Sequence, residues 1–150
     1  MRKYCSLLIL VLFISCSQNK SIVEVVYTIN EFSSEDNRLN ITLDITNKTN
    51  KDISSLWSLH WNQISALVDS ESLPNNTNYE YVAGQSYNIL SFEDNYSLKK
   101  GETISIDLKQ RGGVKRKSDF PMGGFIVTNG NIIDVKFINL WENAEDIQDL

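Results

Sequence analysis

The fold is decided by a stretch in which apolar and polar side chains alternate, Leu39-Asn40-Ile41-Thr42-Leu43-Asp44-Ile45-Thr46. A period of two puts every apolar side chain on one face of a β-strand, so the stretch predicts a strand with one buried face. Apolar runs that predict further strands lie on both sides of it, at 23–29, 57–61, 79–83, 87–92, 104–109, 125–128 and 132–138. The helical alternatives are a single turn over 64–68 and the acidic tail from Trp141 onward.

Turn residues separate these runs. Asn129-Gly130 between two apolar segments predicts a β-hairpin, because both residues tolerate the left-handed conformation of a type I′ turn. In the segment 99–102, Gly101 is expected to take a positive φ. Short strands at roughly regular spacing predict an all-β sandwich.

The first fifteen residues are organised as an export signal. Arg2 and Lys3 provide a positive start, and the apolar core 7–14 is too short for a bilayer, which takes about 20 residues. Ser15 precedes Cys16 as in a bacterial lipobox, although Phe13 stands where Leu is usual. We expect cleavage before Cys16 and lipid attachment to its thiol; an ordinary secretory signal is the alternative.

These features divide the chain into four parts. We assign 1–15 to a lipoprotein signal peptide, 16–21 to the lipidated Cys16 and a polar tether, 22–140 to the β-sandwich, and 141–150 to an acidic tail or linker remnant. The other cysteine, Cys5, lies in the signal. The mature chain would therefore form no disulfide within itself, and its stability would depend on core packing.

The composition excludes several classes of function. The net charge is −5, and removal of the signal would bring it to about −7, which disfavours nucleic acid as a partner. The basic run 115–117 is interpreted as a solvated hairpin end rather than a polyanion site. His60 is the single histidine, so we predict no transition-metal site, no cofactor and no catalytic triad. A lone histidine on a strand is typical of a surface or interface position.

Aromatic residues are the best functional indication in the sequence. Sugar sites often use an exposed ring against the apolar face of a pyranose, with amide and carboxylate groups on the hydroxyls. The candidate sugar-contacting residues are Tyr79, Tyr81, Tyr87, Tyr96 and Phe120, with Trp141 as a further ring. The alternative for each ring is packing in the core or at a sheet edge, and it applies most strongly to Trp57 and Trp61.

Four segments in order resemble the N-terminal domain of the chitobiase/β-hexosaminidase family. They are a tryptophan strand, 57–62; a segment with a central glycine, 81–87; a turn, 98–104; and a corner followed by a strand, 118–127. The positions that match the motifs and are expected to be structural include Trp57, Trp61, Gly101, Asp119, Pro121 and Gly123. His60 and Trp61 stand where Tyr and Phe are usual in that family. Pro121 fixes its own φ and restricts Phe120, which predicts a rigid corner.

The resemblance implies an immunoglobulin-like antiparallel β-sandwich akin to cellulose-binding modules. In that family the domain precedes a catalytic barrel that removes terminal N-acetylhexosamine, and its own role is carbohydrate binding. The family's catalytic acid pair lies in the barrel, so no catalytic residue is carried over to this chain.

We therefore expect a lipid-anchored, non-catalytic module that binds amino-sugar glycans such as chito-oligosaccharides. The alternatives are an envelope interaction module that binds no sugar and docks onto a separate glycosidase, and a truncated N-terminal part of a β-N-acetylhexosaminidase. The residues after Cys16 lack an acid in 17–20. By resemblance to known sorting rules, this favours the outer membrane, facing the periplasm.

Overall fold

The computed structural model describes residues 22–64, 66–82, 84, 86–114 and 117–141, which form nine β-strands and two 3₁₀ turns. The strands are β1 (Ile22–Ser33), β2 (Arg38–Asn47), β3 (Trp57–Asn62), β4 (Leu67–Val68), β5 (Thr77–Val82), β6 (Tyr87–Phe92), β7 (Thr103–Arg111), β8 (Met122–Thr128) and β9 (Asn131–Trp141). The 3₁₀ turns are Ser70–Ser72 and Lys117–Asp119. The predicted signal, the lipidation site Cys16 and the tail 142–150 lie outside the described residues.

The strands are hydrogen-bonded in the order β4-β7-β2-β1-β9-β8-β3-β6-β5. Every neighbouring pair is antiparallel except β1 and β9, which run parallel from Ile22 opposite Asp134 to Ile29 opposite Trp141. The predicted all-β architecture is confirmed. The resemblance implied an antiparallel sandwich, and the parallel pairing of the first strand with the last is the exception.

The sheet folds back on itself, because the inward side chains of both halves belong to one buried cluster. Val25 and Leu43 come from the half containing β1 and β2, and Leu59 and Ile126 come from the half containing β3 and β8. Each is at most 2 % exposed. The result is a two-layer sandwich in which alternate residues of each strand fill the space between the layers.

A buried polar network also crosses between the layers. Tyr27 of β1 donates to Gln110 of β7 at 2.5 Å, and Gln63, which follows β3, donates to the Tyr27 hydroxyl at 3.2 Å. Gln110 donates to Gln63 at 3.3 Å, and the Trp61 indole N–H donates to the same Gln63 oxygen at 3.2 Å. The four polar side chains therefore satisfy one another inside the core.

The eight predicted strands correspond to β1–β3 and β5–β9. The sequence left a helical turn at 64–68 open as an alternative; Leu67 and Val68 instead form the short strand β4, because they pair with Arg111 and Gln110. Trp141, which the sequence assigned to the start of the tail, is the last residue of β9. It pairs with Ile29 and packs against Phe120, with ring centroids 6.4 Å apart.

The two predicted turns have the expected backbone. Asn129 and Gly130 have φ values of 47° and 75° and join β8 to β9, as a type I′ hairpin requires. Gly101 has a φ of 78°, a conformation that L side chains rarely adopt.

Candidate functional site

One outer face of the sandwich carries aromatic side chains instead of the polar ones usual at a solvated sheet surface. In β3, the alternation that buries Trp57, Leu59 and Trp61 turns Ser58 and His60 outward. The cross-strand partners of His60 are Ile89 of β6 and Phe125 of β8, and all three are half-buried. We call the outer surface of β8-β3-β6, formed by Ser58, His60, Tyr87, Ile89 and Phe125, the aromatic face.

The rings of the aromatic face contact one another. His60 stacks on Phe125 with centroids 4.8 Å apart and planes within 11°. Tyr87 lies 5.7 Å from His60 and 6.4 Å from Phe125. The three side chains therefore form one continuous ring surface across neighbouring strands.

Hydrogen bonds fix the orientation of the imidazole. The Nε2 atom of His60 lies 2.6 Å from the Ser58 hydroxyl, and its Nδ1 atom lies 2.8 Å from the Tyr87 hydroxyl. Burial lowers the pKa of His60 below its ordinary value of 6.5 and raises the pKa of Tyr87. Both side chains are neutral at pH 7, so the face combines ring surface with uncharged hydrogen-bonding groups.

Two consecutive glycines set the position of β8 beside His60. Gly123, with a φ of 59°, is the extra residue of a β-bulge between the pairs Asn62–Met122 and Trp61–Gly124. An ideal Cβ on Gly124 would lie 2.7 Å from the His60 carbonyl oxygen and 2.6 Å from the Phe137 ring. The close approach of β8 to β3 therefore uses both glycines, and the register sets Phe125 opposite His60.

Apolar side chains extend the aromatic face at its margins. Val127 pairs with Ile132, which is 71 % exposed, and Met122 beside Asn62 is 47 % exposed. Exposed apolar surface next to ring side chains is typical of a binding surface rather than of a solvated sheet.

The five predicted sugar-contacting residues are not brought together. Tyr87 lies on the aromatic face. Tyr79 and Tyr96 pack against the core and donate to Asn88 Oδ1 and the Asn75 carbonyl, and burial raises the pKa of Tyr79. Phe120 is 6 % exposed and packs edge-on against Tyr27, and Tyr81 lies half-buried on the edge strand β5. Their contact with sugar stays a prediction, and only Tyr87 joins other rings at the surface.

The residues matched to the family motifs occupy the core and the turns. Trp57 stacks on Phe92 at 3.9 Å and donates its indole N–H to the Tyr96 carbonyl. Pro121 is buried directly before β8, and the 3₁₀ turn Lys117–Asp119 precedes it.

Sequence reasoning missed the grouping of His60 with Phe125, although both belong to the motifs that it singled out. The alternation of apolar and polar residues in β3 already indicated which way His60 faces. If Trp57 and Trp61 are buried, the residue between them at position 60 must face outward. The cross-strand register, which the sequence does not specify, was needed to find Phe125.

A second feature is a pocket at one end of the sandwich. It has a volume of about 490 Å³ and lies between the loop after β2 and the β8–β9 hairpin. Its lining is mostly amide, hydroxyl and charged side chains, with Ile133 on one side. Thr128 lines it too, and its buried hydroxyl has no hydrogen-bond partner among the described residues. We call this feature the end pocket.

Within the described part of the chain, no group of three or more His, Cys, Asp or Glu side chains could hold a metal ion. The described residues also contain no helix that is long and apolar enough to cross a membrane.

Comparison with solved structures shows that the fold is similar to that of a carbohydrate-binding module. The module CBM3b of the cellulosomal cellobiohydrolase 9A from Clostridium thermocellum is similar over 76 % of this chain and 96 % of its own, with 14 % identity and a TM-score of 0.52. Because the identity is low, this likeness concerns the fold alone.

Two larger enzymes contain a similar fold. A GH20 exo-β-N-acetylglucosaminidase from Vibrio harveyi, solved in complex with N-acetylglucosamine, matches 81 % of this chain with 16 % identity and a TM-score of 0.61. A family GH18 chitinase from Chromobacterium violaceum matches 81 % with 11 % identity and a TM-score of 0.51. This chain covers 18 % of the Vibrio enzyme and 21 % of the chitinase. No protein family and no curated protein matches the sequence.

Proposed function

We propose that this protein is a carbohydrate-binding module and that the aromatic face binds amino-sugar glycans of the chito-oligosaccharide type. The observation that carries the proposal is the contiguous group of His60, Phe125 and Tyr87 on an open sheet surface. The fold is shared with a cellulosomal module and with part of a structure that holds N-acetylglucosamine, which supports the choice of ligand class.

The chemistry of the aromatic face suits a pyranose. The C–H groups on one side of a sugar ring pack against aromatic surface, and the hydroxyl and acetamido groups need hydrogen-bond partners at its edge. Exposed Glu80 and Asp134 lie at the two ends of the cross-strand row that contains Ile89, His60 and Phe125. Carboxylates in these places can accept hydrogen bonds from sugar hydroxyls.

Titration calorimetry with chito-oligosaccharides tests the proposal. The full chain carrying Cys16→Ser is expected to bind, and Phe125→Ala or Tyr87→Ala is expected to weaken binding about tenfold or more because ring contact is lost. Phe32→Ala is the matched control, since Phe32 is a 40 % exposed ring at the end of β1, away from the face. Equal affinities in all four proteins, or no binding to any amino-sugar polymer, would refute it.

The proposal includes a non-catalytic role for this surface. Glu80 and Asp134 are separated by four strand spacings, roughly 19 Å. Glycoside hydrolysis needs a carboxyl pair about 5–9.5 Å apart. We expect no hydrolysis of a chromogenic hexosaminide by the purified chain, and measurable turnover lost in Glu80→Gln would overturn this part.

We further propose that Cys16 carries a lipid that holds the module on the outer membrane, facing the periplasm. The proposal rests on the lipobox-like sequence before Cys16 and on the absence of an acid in 17–20. Cys16→Ser is expected to move the protein from the membrane fraction to the soluble fraction. Protease treatment of intact cells should leave the anchored protein uncut, and digestion there would instead favour the cell surface.

An interaction role has one observation in its favour. Strand β5 pairs with β6 alone among the described residues, so Thr77–Val82 presents an open edge to which a partner strand could add. Co-purification with an envelope glycosidase that is lost in Glu80→Pro, together with no sugar binding, would select this role over the first.

A further inference from the structure

The end pocket is built from two loops that hydrogen bonds order. Asn47, at 0 % exposure, donates its amide N–H groups to the carbonyls of Lys51 and Leu98, both at 2.9 Å, and accepts from the Thr49 N–H at 3.0 Å. Asn129 of the hairpin donates to the Ser54 hydroxyl across the pocket wall at 2.7 Å. The walls are therefore ordered before any ligand arrives, which lowers the entropic cost of binding.

Several polar groups of this pocket are left without a hydrogen-bond partner in the described part of the chain. The exposed Asn50 amide and Lys51 ammonium make no hydrogen bond to a described residue and are open to solvent, whereas Asp52 uses one carboxylate oxygen to accept from the Lys100 N–H at 2.8 Å. The buried hydroxyl of Thr128, which lines the same pocket, has no partner among the described residues. Unpaired polar groups around one cavity are matched by a ligand that both donates and accepts hydrogen bonds.

The charge and shape of the pocket select the kind of ligand. Lys51 and Asp52 are adjacent and carry opposite charges, so the site favours a neutral molecule over an anion or a cation. Half-buried Ile133 offers apolar surface on one side, and the opposite loop carries the amide and hydroxyl groups. A volume of about 490 Å³ lies within the ordinary range for small-molecule sites, about 300–1,000 Å³.

From this arrangement we propose that the end pocket is a second ligand site, which takes a single neutral sugar residue such as a hexose or an N-acetylhexosamine. The ring C–H groups would pack against Ile133, and the hydroxyl groups would bond to Asn50, Lys51 and the free oxygen of Asp52. The site is separate from the aromatic face, so a monosaccharide can occupy it whether or not that face binds a glycan.

Backbone amide chemical shifts, followed while N-acetylglucosamine or glucose is added to the full chain carrying Cys16→Ser, test this inference. We expect saturable shifts at Asn50, Lys51 and Asn131. In the double variant Asn50→Ala/Lys51→Ala the dissociation constant should rise about tenfold or more, since each lost hydrogen bond weakens binding several-fold. Neither side chain makes a hydrogen bond in the described fold, so the variant is expected to remain folded.

Lys99→Ala is the control, because Lys99 is an exposed lysine of the neighbouring turn and does not line the pocket. Equal dissociation constants in the double variant and the parent would overturn the inference. So would shifts confined to the aromatic face, or the lack of any sugar-dependent shift at the pocket. Shifts at the pocket without any at His60 or Phe125 would uphold it independently of the proposed function, which chito-oligosaccharides test at the aromatic face.

Discussion

The two outer faces of the sandwich follow the same alternation but present opposite chemistry. On β1, β2 and β7, most outward positions are polar, with Ile22 and Val26 as exceptions, and some are bonded to one another: Asn30 donates to Thr42, and Thr42 donates to Asp107. We call this the polar face. On β8, β3 and β6, the corresponding positions carry His60, Phe125 and Tyr87. The inward residues of β3, which are Trp57, Leu59 and Trp61, already fill the core, so the outward rings are not needed there. Their exposure supports the proposed role in recognition.

The largest effect is expected where the aromatic face depends on close backbone approach. Gly124→Ala would place a Cβ within 2.7 Å of the His60 carbonyl oxygen, so β8 must move away from β3. We expect a loss of about 3 kcal/mol in the free energy of unfolding, measured by denaturant titration. Gly123→Ala is the comparison: it has open space but a positive φ, and should cost about 1 kcal/mol. Equal losses of unfolding free energy in the two variants would show that a small shift of β8 relieves the clash at Gly124.

Two variants, one on each outer face, test which face binds the glycan. Phe125→Ala should reduce affinity for chito-oligosaccharides about tenfold or more, whereas Thr42→Ala on the polar face should leave affinity unchanged. Isothermal calorimetry of both variants gives the comparison. A larger loss in Thr42→Ala would assign binding to the polar face instead.

Acidification should weaken the fold through the aromatic face. Burial lowers the pKa of His60 in the folded protein below 6.5, so between these two values the unfolded chain binds more protons. Stability should therefore fall as the pH drops below about 6.5, until the folded-state pKa is passed. His60 is the single histidine of the chain, so His60→Asn should abolish this component. Identical stability profiles of the two proteins from pH 7 to pH 5 would contradict the expectation.

The smallest effect is expected from an ion pair of the polar face. Lys48 contacts Glu24, but the lysine side chain is 50 % exposed and water screens the pair. Lys48→Ala should change the free energy of unfolding by less than about 0.5 kcal/mol. Thermal melts at low and high salt check this, and a loss above 1 kcal/mol at low salt would show that the polar face contributes more than solvation.

The sequence was sufficient for features that depend on near neighbours in the chain. The period of two located the strands, and Asn129-Gly130 and Gly101 located turns, because their backbone demands are local. The parallel pairing of β1 with β9 could not be predicted, since it joins residues more than a hundred positions apart. Leu67 and Val68 were not predicted as a strand for a similar reason: β4 forms only through pairing with β7.

The candidate site was harder to predict than the fold. Alternation shows that His60 faces outward, but its neighbours follow from the register that sets it opposite Phe125 and diagonal to Tyr87. Nor does composition distinguish a ring at the surface from one in the core. Tyr79, Tyr96 and Phe120 look equivalent to Tyr87 in the sequence, yet tertiary packing places them against the core.

The parallel pairing of β1 with β9 has a mechanical consequence. The polypeptide enters this strand pair at Ile22 and leaves it at Trp141, at the opposite end of the same pair. Force that pulls these two residues apart therefore acts along the strands, in shear. The interstrand hydrogen bonds must then share the load and yield together, whereas a hairpin pulled from its open end releases them one at a time. A chain held near residue 22 and pulled beyond residue 141 should thus resist extension.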